Sequence, residues 1–227
     1  MLFLAIPAIV AVAAIGKVLY DWQAAEPVRL AESSPPVPCS ILERNLNRLG
    51  RELSAYAGPK VAVFGQPGAG KSSLLLKMSK EKITPRPVIG TKTDATTWAK
   101  DDAWPLLNFH SRYAFVDVPG YDTQAHPATD FERNFPFNSV DANIFVVAGK
   151  IHAADSLIFS KLVRTGKPIC IARSFSDSLD KDEQLKILRD VRSHLAPDTK
   201  LPILFFSNRT GRGVQPVYEW IREQFAD

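Results

Sequence analysis

The fold of this 227-residue chain is decided by the stretch Gly65-Gln66-Pro67-Gly68-Ala69-Gly70-Lys71-Ser72. It matches G-x-x-x-x-G-K-[ST] in full and lies between an apolar run at 61–64 and a helix-like run at 73–77. Glycines let backbone N–H groups converge on phosphate oxygens without a Cβ atom in the way. Lys71 places a charge at the β- and γ-phosphates, and the Ser72 hydroxyl is a magnesium ligand in this motif. We predict a nucleotide-binding phosphate loop made of these residues and Ser73, with Mg²⁺ as cofactor.

Short apolar runs alternate with helical patterns from residue 59 to residue 227. The apolar runs are 61–64, 113–116, 143–147, 168–172 and 202–206. The helical patterns cover about 71–80, 153–165, 182–195 and 214–225. Short runs that are apolar on both faces suit buried parallel strands. The alternation predicts an α/β fold with three α/β/α layers and a mainly parallel central sheet, and the phosphate-loop motif assigns this fold to the P-loop NTPase type.

The N-terminal segment 1–22 has the composition of a membrane anchor. It begins with an uncharged apolar run and ends with Lys17, Tyr20 and Trp22. A hydrophobic helix of about 20 residues matches a hydrocarbon core, and basic and aromatic side chains mark its end. Because Lys and Arg predominate after it, we expect a single-pass N-terminal anchor with the rest of the chain in the cytoplasm. A signal peptide cleaved near 11–13 and a helix buried against a partner protein are the alternatives.

A linker and an amphipathic helix follow the apolar segment. Residues 23–39 are rich in Pro and Ser, which is typical of a stiff, partly extended linker. In the range 40–58, Ser40 and Glu43 form a capping-box pattern. The apolar stripe of this predicted helix consists of Leu42, Leu46, Leu49, Leu53 and Tyr56. We expect the stripe to pack on the main domain, the alternative being a partner-binding or lipid-facing surface.

Charge and cysteine content exclude several other classes of protein. The net charge is +4 and the pI is about 9.1, but the Lys and Arg residues form no continuous run. No nucleic-acid partner is therefore evident from the sequence. Cys39 and Cys170 cannot form a disulfide framework, and their spacing is not that of a zinc site.

A second motif ends the predicted strand at 113–116, and it reads Asp117-Val118-Pro119-Gly120. With the phosphate loop before it, this pattern makes residues 60–227 resemble a translation-factor-type GTPase domain, as in Era-like GTPases, septins and immunity-related GTPases. The stretch 95–98 resembles switch I of the Era-like proteins. The resemblance implies that Lys71, Thr97 and Gly120 act in catalysis. It also implies that Ser72, Thr97 and Asp117 hold magnesium, with Thr91, Thr93 and Thr96 as rivals for the switch I threonine.

The elements that would read the base depart from the family pattern. Ser174-Phe175-Ser176-Asp177 stands where the family has Asn/Thr-Lys-x-Asp, and the stretch 207–214 resembles the Ser-Ala-Lys loop. The resemblance implies base contacts from Ser174, Phe175, Asp177, Ser207 and Asn208. A carboxylate at Asp177 can accept from the two guanine N–H groups that adenine lacks. A ring at Phe175 can stack on the base.

The resemblance implies a membrane-anchored switch that binds GTP and hydrolyses it to GDP and phosphate. Tyr121 stands where Ras-like proteins carry the glutamine that orients water, so we expect slow turnover, with Gln124 and His126 as possible substitutes. An activating protein or a homodimer across the nucleotide face would speed it up. Candidate arginine fingers are Arg86, Arg112 and Arg133. A nucleotide-gated assembly module with little catalysis and a P-loop ATPase with relaxed base specificity are the alternatives.

Overall fold

Strand β1, Lys60–Phe64, lies in the middle of a six-stranded sheet, and its last four residues are buried. The computed structural model describes residues 39–90, 98–195 and 201–226. The other strands are β2 (Asn108–His110), β3 (Tyr113–Asp117), β4 (Ala142–Val147), β5 (Ile169–Arg173) and β6 (Ile203–Phe205). Their order is β2-β3-β1-β4-β5-β6, and only β2 is antiparallel to its neighbour. The predicted α/β fold with a mainly parallel sheet is confirmed.

Helices cover both faces of this sheet. They are α1 (Ile41–Ala55), α2 (Lys71–Met78), α3 (Ala128–Asn134), α4 (Ala153–Arg164), α5 (Lys181–Leu195) and α6 (Val214–Gln224). Helices α1, α3, α4 and α5 contribute side chains to one hydrophobic cluster, and α2 and α6 contribute to the other. Along β1, successive residues alternate between the two clusters, and β3, β4, β5 and β6 also contribute side chains to both, so one sheet divides the core into two layers.

The N-terminal amphipathic helix is built into the core. Helix α1 begins after Ser40, whose side chain accepts a 3.1 Å hydrogen bond from the Glu43 backbone N–H. Its leucine stripe is buried in the same cluster as the apolar side chains of α3 and α4. The expected packing of the stripe on the main domain is therefore observed. The helix ends at Ala55, three residues before Gly58.

Three elements lie where the sequence predicted neither a helix nor a strand. Strand β2 pairs with β3 at the edge of the sheet, and its middle residue, Phe109, is exposed. Helix α3 and a 3-10 turn at Phe137–Ser139 lie between β3 and β4. The aromatic residues of this region are buried or partly buried, and Phe135 and Phe137 contact Phe64. They therefore pack in the core beneath this region.

The predicted anchor at 1–22 lies outside the described residues, as does the predicted linker apart from Cys39. Within 39–90, 98–195 and 201–226, no helix combines the length and the apolar character needed to cross a membrane.

Candidate functional site

The phosphate loop connects the end of β1 to the start of α2 at the carboxyl edge of the sheet. Its backbone requires glycine, because Gly65, Gly68 and Gly70 have φ values of 146°, 75° and 96°. Residues that carry a Cβ atom rarely adopt φ values in this region. A Cβ atom at Gly65 would also collide with the carbonyl oxygen of Val146 in β4. The loop thus lies in close contact with β4 and leads into the N-terminus of α2. Backbone N–H groups at a helix N-terminus bind anions.

Lys71 is buried at the centre of the loop. Its Nζ atom donates to the carbonyl oxygens of Gly65 at 2.8 Å and Gln66 at 3.0 Å. Burial lowers the pKa of the ammonium group to about 8, although the Asp117 and Asp155 carboxylates act in the opposite direction. The lysine is therefore a desolvated cation within the loop, as a phosphate-binding charge needs to be.

Ser72 and Asp117 bring a hydroxyl and a carboxylate together beside this lysine. The Ser72 hydroxyl donates a 2.5 Å hydrogen bond to Oδ2 of Asp117. Burial raises the pKa of Asp117, while Lys71 and the Ser72 hydrogen bond act against that rise. The other carboxylate oxygen, Oδ1, is buried and has no hydrogen-bond partner in the described parts of the chain. Two adjacent hard oxygen ligands, one of them with an unsatisfied buried atom, fit the chemistry of Mg²⁺.

The residues after Asp117 lie against the phosphate loop. A Cβ atom added at Gly120 would lie 2.5 Å from both N and Cγ of Pro67, so these two backbones are in close contact. Tyr121, the next residue, is completely buried and donates a 2.8 Å hydrogen bond to Oδ1 of Asp155. Burial and this carboxylate raise the pKa of Tyr121 well above its ordinary value. Sequence reasoning did not identify Asp155, whose position in a capping box on α4 is its only sequence signal.

The predicted switch I residues Thr91, Thr93, Thr96 and Thr97 lie outside the described residues. The segment that follows them is held by α1. The side-chain amide of Asn45 donates to the carbonyl oxygens of Trp98 and Asp101, at 2.6 Å and 2.9 Å. Arg48 donates to the carbonyl oxygen of Trp104 at 2.5 Å. Helix α1 is therefore hydrogen-bonded to the last residue of the predicted switch I stretch and to the residues that follow it.

At the end of β5, the side chains of the Ser174–Asp177 stretch point in different directions. The Ser174 hydroxyl is buried and donates to the Val147 carbonyl at 3.3 Å. Phe175 is 51% exposed and has a φ of 56°, so its ring stands out from the loop. Asp177 accepts a 2.6 Å hydrogen bond from Nε of Arg209, and its Oδ2 atom is ion-paired with Nη2 at 2.6 Å. Hydrogen bonds from Ser207 and Arg209 lower the pKa of Asp177, so its carboxylate is ionised at neutral pH.

The loop after β6 meets both the phosphate loop and the Asp177 region. The Ser207 hydroxyl accepts from the backbone N–H groups of Arg209 and Thr210, which fixes the turn. The side-chain amide of Asn208 donates a 3.0 Å hydrogen bond to the Gly70 carbonyl. Asn208 therefore joins the predicted base-binding edge to the loop that would hold the phosphates.

The candidates for assisting hydrolysis are placed very differently. Gln124 is exposed and His126 is buried. Arg86 is ion-paired with Glu81, and Arg133 is exposed on α3. Arg112, the third candidate arginine finger, does not approach the site. It lies directly before the first residue of β3, whereas Asp117 is the last residue of that strand. The Arg112 guanidinium donates to the Phe225 carbonyl.

The fold and the site together define a P-loop nucleotide-binding protein with an Asp-x-x-Gly element on the neighbouring strand. Residues 60–174, just over half of the 227-residue chain, match the sequence profile of the family described as 50S ribosome-binding GTPase. The chain therefore belongs to this family of translation-factor-related P-loop GTPases.

Similar proteins include two named GTPases. GTPase Der from Lachnospira eligens is 26% identical over 175 residues, which cover 72% of this chain and 38% of that protein. GTPase Era from Histophilus somni is 30% identical over 162 residues, covering 67% of this chain and 51% of that protein. The chain thus spans about half of these relatives' length or less.

Among solved structures, Era in complex with MgGDPNP and nucleotides 1506–1542 of 16S ribosomal RNA matches with a TM-score of 0.54 and 16% identity. The match covers 73% of this chain and 56% of that chain, and it supports the fold assignment.

Proposed function

We propose that this protein is a magnesium-dependent GTPase switch that hydrolyses GTP to GDP and phosphate. The observation that carries the proposal is the contact between Ser72 and Asp117 beside Lys71, where β1 and β3 end. These residue types are the ones that GTPases of this class use to hold phosphates and a divalent cation. The fully matched phosphate loop and the family assignment support the same reaction.

Each residue has a defined task in this proposal. The backbone N–H groups of residues 65–73, apart from Pro67, and the Lys71 ammonium bind the phosphates. The Gly120 N–H faces the terminal phosphate, and Ser72, Thr97 and Asp117 are the residues that would hold Mg²⁺. The metal, when bound, neutralises charge on the β- and γ-phosphate oxygens. Catalysis then depends on positioning and charge, because phosphoryl transfer needs little covalent participation by the protein.

Guanine recognition is assigned to Asp177 and Phe175. An ionised Asp177 can accept from the N1–H and 2-amino groups of guanine, a donor pair that adenine lacks, and the exposed ring of Phe175 offers a stacking surface at the same edge. Arg209 must release at least part of the carboxylate for this to occur. Arg209 can make that exchange because its side chain is 77% exposed and can move into solvent, while the Asp177 side chain is 16% exposed and stays in place.

Slow intrinsic turnover is part of the proposal. Tyr121 is buried and its hydroxyl is engaged by Asp155, so it cannot orient an attacking water. A partner, or a second copy of the chain across the nucleotide face, would supply the missing group. The loops at about 84–102 and 121–139 would change conformation with the nucleotide.

Membrane attachment through residues 1–22 completes the proposal, with the GTPase domain in the cytoplasm. The support is the uncharged apolar run and its Lys, Tyr and Trp flank. Deletion of 1–22 should move the protein from the membrane to the soluble fraction while GDP affinity stays unchanged. A truncated protein that still sediments with membranes would contradict the anchor and leave the nucleotide site unaffected.

Displacement of fluorescent GTP from the full chain, with Mg²⁺ present, tests the proposed nucleotide. GTP and GDP should compete and ATP should not. Asp177→Asn should abolish this preference, whereas Asp182→Asn, at an exposed carboxylate of α5, should keep it. Equal competition by ATP would favour the ATPase alternative. Turnover should rise with protein concentration if copies activate one another, and binding without any turnover would favour the assembly module.

A further inference from the structure

One buried carboxylate lies between the two loops at the phosphate end of the site. Oδ1 of Asp155 accepts from the Tyr121 hydroxyl at 2.8 Å and from Nε2 of Gln66 at 3.2 Å. Its Oδ2 atom accepts from the His152 backbone N–H at 2.9 Å, within the capping box of α4. Helix α4 therefore fixes the carboxylate, and the carboxylate in turn fixes Gln66 and Tyr121.

The two side chains that Asp155 holds come from different loops of the site. Gln66 is the second residue of the phosphate loop, and Tyr121 directly follows Gly120. The close contact between Gly120 and Pro67 brings the same two loops together independently. Asp155 is therefore hydrogen-bonded to both the phosphate loop and the segment after Gly120, and it links the position of one to the position of the other.

The bond between Tyr121 and Asp155 has a fixed direction. Burial and the adjacent carboxylate raise the pKa of Tyr121, so the phenol keeps its proton and remains a donor at neutral pH. A buried hydrogen bond from a neutral donor to a carboxylate is stronger than one between two neutral groups. The negative charge of Asp155 also helps Lys71 to stay protonated, which places the carboxylate within electrostatic reach of the phosphate site.

We propose that Asp155 is a positioning residue for GTP hydrolysis. Through Tyr121 and Gln66 it sets the spacing between the phosphate loop and the Gly120 N–H, the two places where a terminal phosphate would be bound. Asp155 does not itself touch the nucleotide. The inference rests on the proposed GTPase function, and it assigns Tyr121 to holding Gly120 in place.

The test uses the full chain with Mg²⁺ and measures single-turnover GTP hydrolysis, the affinities for GDP and GDPNP, and the melting temperature. Tyr121→Phe removes one hydroxyl and keeps the ring. We expect its hydrolysis rate constant to fall by about tenfold, the effect of one lost buried hydrogen bond. GDPNP binding should weaken while GDP binding stays unchanged, because only the triphosphate has the γ-phosphate that needs both loops. Tyr113→Phe, at a buried tyrosine at the other end of β3, is the matched control and should behave like wild type.

Asp155→Asn provides a second variant that keeps the shape of the side chain. It should show the same selective loss, and the double variant should lose no more than the larger single effect, because both changes break one linkage. Wild-type rates in Tyr121→Phe, or parallel losses of GDP affinity and melting temperature in both variants, would overturn the positioning role while leaving the GTPase intact. A wild-type chain that binds no guanine nucleotide would overturn the proposed function and this inference together.

Discussion

Nδ2 of Asn45 lies 2.6 Å from the carbonyl oxygen of Trp98, and this hydrogen bond joins residues 53 positions apart in the sequence. The same amide group donates to the Asp101 carbonyl at 2.9 Å. Asn45 is buried within α1, so these bonds are made away from water. A buried polar side chain of α1 thus fixes the end of the predicted switch I stretch and the residues that follow it.

Asn45→Ala should lower the free energy of unfolding by about 2 kcal/mol, because it leaves two carbonyl groups without their donor. Urea denaturation followed by circular dichroism measures the loss. Asn47→Ala is the control, since Asn47 is exposed on the same helix, and it should change stability by less than about 0.5 kcal/mol. Similar losses in the two variants would mean that the buried hydrogen bonds contribute no stability.

Leu49→Ala tests whether α1 is part of the core. Its side chain is completely buried, so removal should cost about 2 to 5 kcal/mol. Leu185→Ala provides a matched control on α5, where the leucine is 51% exposed. Chemical denaturation of both variants gives the comparison. If Leu49→Ala is no more harmful than Leu185→Ala, α1 does not contribute to the cooperative unit.

The depressed pKa of Lys71, about 8, makes nucleotide binding dependent on pH. Phosphates favour the charged ammonium, so a bound nucleotide raises this pKa and the complex takes up a proton near pH 8. Affinity for GDP should therefore decrease as the pH rises through 8, where the free protein loses that proton. The free energy of unfolding of the nucleotide-free protein should instead increase as the pH rises above 8. An unfolded lysine holds its proton up to a higher pH, so the cost of burying the charge is present below pH 8 and is relieved above it.

Calorimetric titration with GDP in buffers of different ionisation enthalpy measures this proton uptake directly. Uptake should be pronounced near pH 8 and negligible near pH 6.5, where free and bound protein both carry a charged Lys71. Equal uptake at the two pH values would show that another group is responsible.

Gly120→Ala should separate Gly120 from the phosphate loop, because the new methyl group would lie 2.5 Å from backbone and ring atoms of Pro67. We expect GTP hydrolysis to fall by about tenfold or more, in line with the loss of one positioned backbone donor. Binding of GDP should change little. Gly149→Ala is the matched control, since a Cβ atom there meets nothing within 4 Å. Wild-type hydrolysis in Gly120→Ala would exclude a role for this contact.

Much of the fold could be predicted because its signals are local. The strands β1, β3, β4 and β5 are continuous apolar runs, and the phosphate loop is one uninterrupted motif. Strand β2 could not be predicted, since three residues with polar ends carry no usable alternation. Helix α3 begins after Pro127 without a side-chain cap, so the usual start signal is absent there.

The contacts within the site were harder to predict than its motifs. Gln66, Tyr121 and Asp155 meet only because β1, β3 and β4 end side by side. No sequence motif or residue spacing predicts this contact. Likewise, the hydrogen bond from Asn208 to Gly70 links residues 138 positions apart. For Ser174, the motif position predicted a contact with the base. In the structure its hydroxyl donates a hydrogen bond to the carbonyl oxygen of Val147, the last residue of β4.

The hydrogen bonds from α1 to the segment 98–104 have a thermodynamic consequence. If this segment takes different positions with GTP and with GDP, the helix docks with different free energies in the two states. Coupling between two binding events is reciprocal. If exchanging GDP for GTP changes the affinity of a ligand for α1 by some factor, that ligand changes the ratio of GTP affinity to GDP affinity by the same factor. An antibody fragment against α1 could therefore act as an allosteric effector of a site that it never touches.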